Sequence, residues 1–140
     1  MPAGARSATL DRVSPPDYRC LIVDDSPTFC AAVQRMLESA GMTVVGTAST
    51  LAAAVEAAGA AHPDLILVDI DLGGESGFDV VEALHRVPEP PSPATILVST
   101  HSQEDFAEMV EASPAIGFIQ KFELSADRIR QIVAGHGSPA

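Results

Sequence analysis

Basic residues are scarce in this sequence. Only 8 of its 140 residues are Lys or Arg, against 19 Asp and Glu, for a formal net charge of −11. A nucleic-acid surface needs a basic stripe, and so does adhesion to an anionic membrane, so the balance argues against both. Trp is absent and Tyr occurs once, which removes the aromatic platforms on which single-stranded bases stack. The two cysteines, Cys20 and Cys30, are too few for a disulfide framework and have no metal-site spacing, a usage that suits a reducing cytosol. The longest apolar runs are about five residues, far short of the roughly 20 that span a bilayer. The first residues lack the apolar stretch of a signal peptide. The predicted location is therefore the cytoplasm, with no membrane partner.

What remains is sufficient for one core. Apolar residues make up 46% of the chain, and its length is that of one domain. Residues 1–17 are rich in Ala, Ser and Pro without periodicity and read as a flexible tail. Their charges (Arg6, Arg12, Asp11, Asp17) cancel, so the acidity belongs to the body, 18–134. Residues 135–140 read as a short frayed tail. Seven of the eight basic residues are Arg, and the only lysine is Lys121.

The body alternates between two patterns. Short apolar runs, RCLIV (19–23), MTVVGTA (42–48), LILV (65–68), ATILVST (94–100) and AIGFIQ (115–120), read as strands buried on both faces. Between them apolar residues recur at helical spacing. Ser26 and Pro27 open the first helix and Gly41 closes it, while Thr50 caps the second. Phe78, Val81 and Leu84 mark the third. Ser102 with Asp105 forms an acidic capping box for the fourth, stopped by Pro114, and Ser125 caps the fifth. VPEPPSP (87–93) is a loop, because four prolines exclude regular structure. Five such units with right-handed crossovers predict an α/β fold with a doubly wound five-stranded parallel sheet. Sites in such sheets lie at the carboxyl ends of the strands.

The unusual polar residues fall at those ends. The first strand ends in Asp24-Asp25, the third in Asp69 with Asp71 beyond it, the fourth in Ser99-Thr100, the fifth in Lys121. Each alone reads plainly as a turn, a cap or a solvated charge; the case rests on their falling at one edge together. Crowded carboxylates repel and call for a cation, and hard oxygen donors without His or Cys favour Mg²⁺. A Mg²⁺ with open positions bridges a phosphoryl oxygen, Lys121 neutralises another as a point charge, and a Ser99 hydroxyl donates to a third. Asp69, ending the central strand, is the candidate nucleophile that would form an aspartyl phosphate.

At this point the residues resemble the receiver domain of two-component response regulators. LIVDD (21–25), LILVDIDLGGESGFD (65–79), ILVST (96–100) and GFIQK (117–121) resemble its four signature stretches, with spacings of 44, 30 and 22 residues between Asp25, Asp69, Ser99 and Lys121. The resemblance implies a flavodoxin-like (βα)5 fold with strand order 2-1-3-4-5. It implies that Asp69 accepts the phosphoryl group and that Asp25, Asp69 and the backbone carbonyl of Asp71 ligate Mg²⁺, with Asp24 acting mainly through water. Ser99 is then the switch hydroxyl, Lys121 the partner of the phosphoryl group or acceptor carboxylate, and Phe118 the aromatic switch that turns inward as Ser99 moves. The implied donor is a sensor histidine kinase or histidine phosphotransfer protein. The implied output is a downstream protein, or a second copy, on the face made by the fourth helix, fifth strand and fifth helix. On this reading the chain catalyses its own phosphorylation and slow dephosphorylation and turns over no external substrate.

The sequence departs from the family at several positions. Phe122 stands where Pro is usual after the lysine, Gly73-Gly74 where Pro-Gly is usual, Thr100 where a small residue is usual, and Pro114 where Gly is common. Asp71 and His101 occupy positions that tune phosphoryl lifetime. Thr100 and Phe122 keep open a degenerate receiver that binds partners without phosphorylation. Asp69-Ile70-Asp71 also resembles the DxD of haloacid-dehalogenase phosphatases, although there the motif follows the first strand and a cap insertion is normal. Cys20 and Cys30 read as core residues, His62 and His85 as surface residues. Glu104, Asp105, Glu108 and Glu111 read as either a solvated face or part of the partner surface. About six residues follow the last helix, so a stand-alone receiver is expected unless the sequence is a piece of a longer regulator.

Overall fold

Five strands form one parallel sheet, with helices on both faces. The structure is a computed structural model that describes residues 18–86 and 93–137. The expected N-terminal tail (1–17), most of the loop at 87–93 and the last residues, 138–140, lie outside the described residues. In chain order the elements are β1 (Arg19–Val23), α1 (Pro27–Ser39), β2 (Thr43–Ala48), α2 (Leu51–Ala61), β3 (Leu65–Asp69), α3 (Gly77–His85) and β4 (Ala94–Ser99). There follow a 3₁₀ turn (Gln103–Phe106), α4 (Ala107–Ala112), β5 (Gly117–Gln120), a second 3₁₀ turn (Lys121–Glu123) and α5 (Ala126–Gly137). The strand order is β2-β1-β3-β4-β5, the doubly wound order expected.

Side chains alternate across the sheet, and that alternation builds two cores. Leu21, Val23, Ile66, Val68 and Leu97 face one way and pack with α2, α3 and the α4 segment through Ala54, Phe78, Val81, Leu84, Phe106 and Val110. Cys20, Ile22, Leu65, Leu67, Ile96 and Val98 face the other way, toward Cys30, Val33 and Leu37 of α1 and Ile129 of α5. β3 is buried along its whole length, as a central strand covered on both faces must be.

Local chemistry sets most helix ends. The Ser26 hydroxyl accepts from Phe29 N–H at 3.2 Å and Thr50 from Ala53 N–H at 3.1 Å. At the end of α1, Gly41 has φ +93 and donates to Glu38 O, while Met42 N–H reaches back to Leu37 O at 3.0 Å. This is the paired bonding that a left-handed glycine allows. Ser125 caps α5 through Arg128 N–H at 3.0 Å.

Several expectations need correction. Ser102 makes no side-chain cap: Asp105 N–H bonds to its backbone oxygen, and the chain forms a 3₁₀ turn before a six-residue α4. The fifth strand begins at Gly117, two residues later than expected. The last helix runs to Gly137, past the residue at which the sequence reading closes the body. His85 is half-buried, with Nε2 3.3 Å from the buried Thr95 Oγ1, and burial lowers its pKa below the usual histidine value. Cys20 and Cys30 are buried and free.

Candidate functional site

Strand register brings the polar strand ends together. Val23 pairs with Val68, so Asp24 follows beside Asp69. Asp69 pairs with Val98, which leaves Ser99 one step further along the neighbouring strand. Ser99 pairs with Gln120, so Lys121 comes next. Residues scattered over nearly a hundred positions thus line one edge by ladder geometry alone. There they open into a cleft of about 250 Å³ lined by Asp25, Asp69, Asp71, Gly73, Ser99, Thr100 and Lys121.

The acidic side is tightly packed. Carboxylate oxygens of Asp24, Asp25 and Asp69 lie within 4.8 Å of one another. Asp24 and Asp69 are buried and Asp25 is exposed. Ser26 N–H donates to Asp24 Oδ1 at 2.8 Å, and Asp71 N–H donates to Asp69 Oδ1 at 3.2 Å. Lys121 Nζ stands 2.8 Å from Asp24 Oδ2 and 3.3 Å from Asp69 Oδ2, with its side chain 17% exposed. The Lys121 ammonium is thus the partner of the buried Asp24 Oδ2.

Burial pushes the Asp69 carboxyl up to about 6, and the Asp24 charge adds to that; the Asp71 N–H and Lys121 pull the other way without prevailing. Burial also works against the Lys121 ammonium, but the Asp24 and Asp69 carboxylates outweigh it and hold the pKa above the usual lysine value. The ammonium now does part of what a metal would do, standing between two crowded carboxylates.

The donor set fits a hard divalent cation. Its ligands are all carboxylate oxygens gathered within 4.8 Å, and the cleft beside them is open to water. The Asp71 side chain stands apart from the three-carboxylate group and accepts from Gly73 N–H at 3.1 Å. Its backbone carbonyl is free to serve, because Asp71 and Ser76 form an isolated bridge whose two hydrogen bonds run between Gly77 and Ile70 and between Leu72 and Glu75. Gly73, at φ +79, adopts a left-handed conformation that proline cannot reach. A Cβ on Gly77 would fall 2.2 Å from Asp69 O. Only glycine lets α3 start this close behind the candidate nucleophile.

The remaining predicted residues are placed as follows. Ser99 is buried, and its hydroxyl accepts from His101 N–H at 3.0 Å. Thr100 is exposed on the cleft rim. Phe118 already lies inward, in the same buried cluster as Val68 and Leu97. Phe122 projects into solvent, 76% exposed.

Two contacts escape sequence reasoning. The Glu75 carboxylate accepts from Leu51 N–H at 2.7 Å, tying the loop after Asp69 to the start of α2. The Phe29 ring lies over Lys121 Nζ, 4.1 Å from its centroid. Both are long-range, and no local pattern marks them.

The sequence matches the family model of the response regulator receiver domain over residues 20–134. The chain belongs to the response regulator receiver family. This receiver is 32% identical over 116 residues to a protein-glutamate methylesterase/protein-glutamine glutaminase of Halobacterium salinarum, covering 83% of this chain and 32% of that protein. It is 26% identical over 103 residues to the DNA-binding transcriptional activator EvgA of Escherichia coli K12, covering 74% of this chain and 50% of EvgA. The receiver thus spans about a third to a half of these curated relatives. Among solved structures, the signal receiver domain of the response regulator NarL from Mycobacterium tuberculosis aligns with TM-score 0.75 and 28% identity over 89% of this chain and 99% of that one. The N-terminal domain of a response regulator/sensory box/GGDEF 3-domain protein from Carboxydothermus hydrogenoformans aligns with TM-score 0.68 and 29% identity over 84% and 91%. The phosphatase reading of Asp69-Ile70-Asp71 finds no support: the motif ends β3 of a receiver sheet. Among the described residues no helix is long and apolar enough to cross a membrane.

Proposed function

We propose that this receiver takes a phosphoryl group from a phosphohistidine onto Asp69 and thereby switches a protein-contact surface. The observation that carries the proposal is the gathering of Asp24, Asp25 and Asp69 within 4.8 Å, with Lys121 3.3 Å from Asp69 Oδ2, beside an open cleft. Asp25, Asp69 and the Asp71 carbonyl would hold Mg²⁺, with Asp24 acting mainly through water. Bound there, the ion would supply positive charge to the phosphoryl oxygens and relieve the repulsion among the carboxylates.

An Asp69 carboxylate oxygen attacks phosphorus, an O–P bond forms, and the P–N bond to the donor imidazole breaks. The leaving nitrogen keeps the electron pair and takes a proton. Lys121 holds Asp69 oriented before attack and faces the phosphoryl group afterwards. The Ser99 hydroxyl, which here only accepts from His101, has its own O–H to donate to a phosphoryl oxygen. Its movement disturbs the chain that leads into the 3₁₀ turn and α4. Asp71, which lines the cleft, and His101, two residues beyond Ser99, set how long the acyl phosphate survives.

The face made by α4, β5 and α5 carries the output. Glu108 and Glu111 of α4, and Glu104 and Asp105 of the 3₁₀ turn before it, are all exposed, and the occupant of the face is a downstream protein or a second copy of this chain. The donor is a sensor histidine kinase or a histidine phosphotransfer protein, and the setting is the cytoplasm.

Intact-mass spectrometry after incubation with acetyl phosphate and Mg²⁺ tests the reading. The expected result is an adduct of about 80 Da, the mass of one phosphoryl group, absent without metal and absent in Asp69→Asn. An unmodified wild-type chain would leave the degenerate, phosphorylation-independent binding module in its place.

A further inference from the structure

The site's only lysine is held by more than its two carboxylates. Phe29 sits at the third position of α1, where its backbone N–H is fixed by the Ser26 hydroxyl at 3.2 Å. Its half-buried side chain packs against the core cluster that contains Cys30, Val33 and Ile129. The backbone and the body of the side chain are thus both anchored, and the ring face is turned to the Lys121 ammonium at 4.1 Å. Asp24 Oδ2 and Asp69 Oδ2 lie at 2.8 and 3.3 Å from the same Nζ.

We propose that Phe29 is a positioning residue for phosphoryl transfer, acting through Lys121. The inference rests on the reading of Asp69 as phosphoacceptor and adds how the lysine is kept in register. A long flexible ammonium normally loses much rotamer freedom when it is fixed. An aromatic face attracts the cation electrostatically and excludes water from that side, but it offers no lone pair. The lysine N–H groups therefore stay available to oxygen. The attraction is also tolerant in direction. The ammonium can exchange the Asp69 oxygen for a phosphoryl oxygen while the ring contact persists, so Phe29 serves as a pivot during transfer. A polar side chain at this position would instead compete with the phosphoryl group for the ammonium.

The test compares rates of adduct formation from acetyl phosphate with Mg²⁺ in the full chain. Phe29→Leu keeps apolar packing and removes the ring, whereas Phe29→Tyr keeps the ring. Each is made with Lys121 and with Lys121→Gln. The expected result is a slowing of about 5-fold in Phe29→Leu, a rate within about 2-fold of wild type in Phe29→Tyr, and no further slowing by Phe29→Leu once Lys121 is Gln. NMR should show the Lys121 Hε protons shielded by the ring in wild type and Phe29→Tyr, with the shielding lost in Phe29→Leu. Equal slowing in the Lys and Gln backgrounds, or a Tyr variant as slow as Leu, would overturn the proposal by making Phe29 a packing residue only. Absence of any adduct on the wild-type chain would instead sink the phosphoacceptor reading, and this inference with it.

Discussion

Helices α1 and α3 stand in contrast to the segment between β4 and β5. α1 begins with a side-chain cap from Ser26 and buries Cys30, Val33 and Leu37. α3 begins with a cap from Ser76 and buries Gly77, Phe78, Val80, Val81 and Leu84. The 3₁₀ turn and α4 have no side-chain cap, and α4 buries no residue at all. The first pair brackets the carboxylates that must stay fixed, Asp24, Asp25 and Asp69. The loosely held segment follows Ser99, the hydroxyl that would have to move. Chemistry needs preorganised groups, while a switch needs an element whose displacement costs little. The molecule separates the two demands along the sheet.

The sharpest way to break that contrast is to hollow out the rigid side. Leu37 in α1 is fully buried. Leu37→Ala removes apolar contacts and leaves a cavity, at an expected cost of about 3–4 kcal/mol in unfolding free energy by urea titration. A loss below about 1 kcal/mol would mean that α1 is no firmer than α4.

A smaller effect comes from charge stored in the same region. Burial raises the Asp69 pKa to about 6 from an ordinary 3.8. A carboxyl raised in the folded state favours folding fully below about pH 4, and that contribution is lost as pH climbs through about 6. Asn at this position does not titrate. Without divalent metal, Asp69→Asn is therefore expected to gain on wild type between pH 4 and 7, reaching about 3 kcal/mol at neutral pH. If Mg²⁺ binds the folded carboxylates as proposed, it should close the gap by stabilising wild type. Urea titrations across that pH range with and without Mg²⁺ decide it; a gap that is constant with pH would remove burial as its cause.

Much of this could be read from the chain because a parallel sheet converts sequence into position so directly. LIVDD and LILVD end in carboxylates, and once the strand order is known the ladder brings them side by side. Helix starts at Ser26, Thr50 and Ser125 were legible because capping is local. Contacts that couple distant stretches without a repeating pattern were not. Phe29 looks like any apolar residue on a helix face until Lys121, 92 positions later, arrives beneath its ring. His85 has the spacing of a helix end, and only the approach of β4 gives it Thr95 as partner. The box at Ser102 failed because Asp105 N–H is taken by the Ser102 backbone oxygen in a 3₁₀ turn, so the geometry a side-chain cap requires never forms.

The smallest expected effect sharpens the comparison most. Met109 on α4 is 51% exposed. If α4 is held weakly, truncating its one large exposed apolar side chain should hardly register: Met109→Ala is expected to change unfolding free energy by less than about 0.5 kcal/mol. The same substitution should alter the behaviour of the surface, since an exposed methionine among Glu104, Asp105, Glu108 and Glu111 adds apolar contact to an otherwise acidic face. Amide exchange completes the test. Protection in α4 should fall well below that in α1 and α3, because local opening there exposes few apolar contacts. Protection in α4 equal to that of α1, together with a Met109→Ala loss of more than 1 kcal/mol, would show that the segment after Ser99 is anchored by contacts its burial pattern does not reveal. The separation of fixed chemistry from movable output would then have to lie elsewhere in the fold.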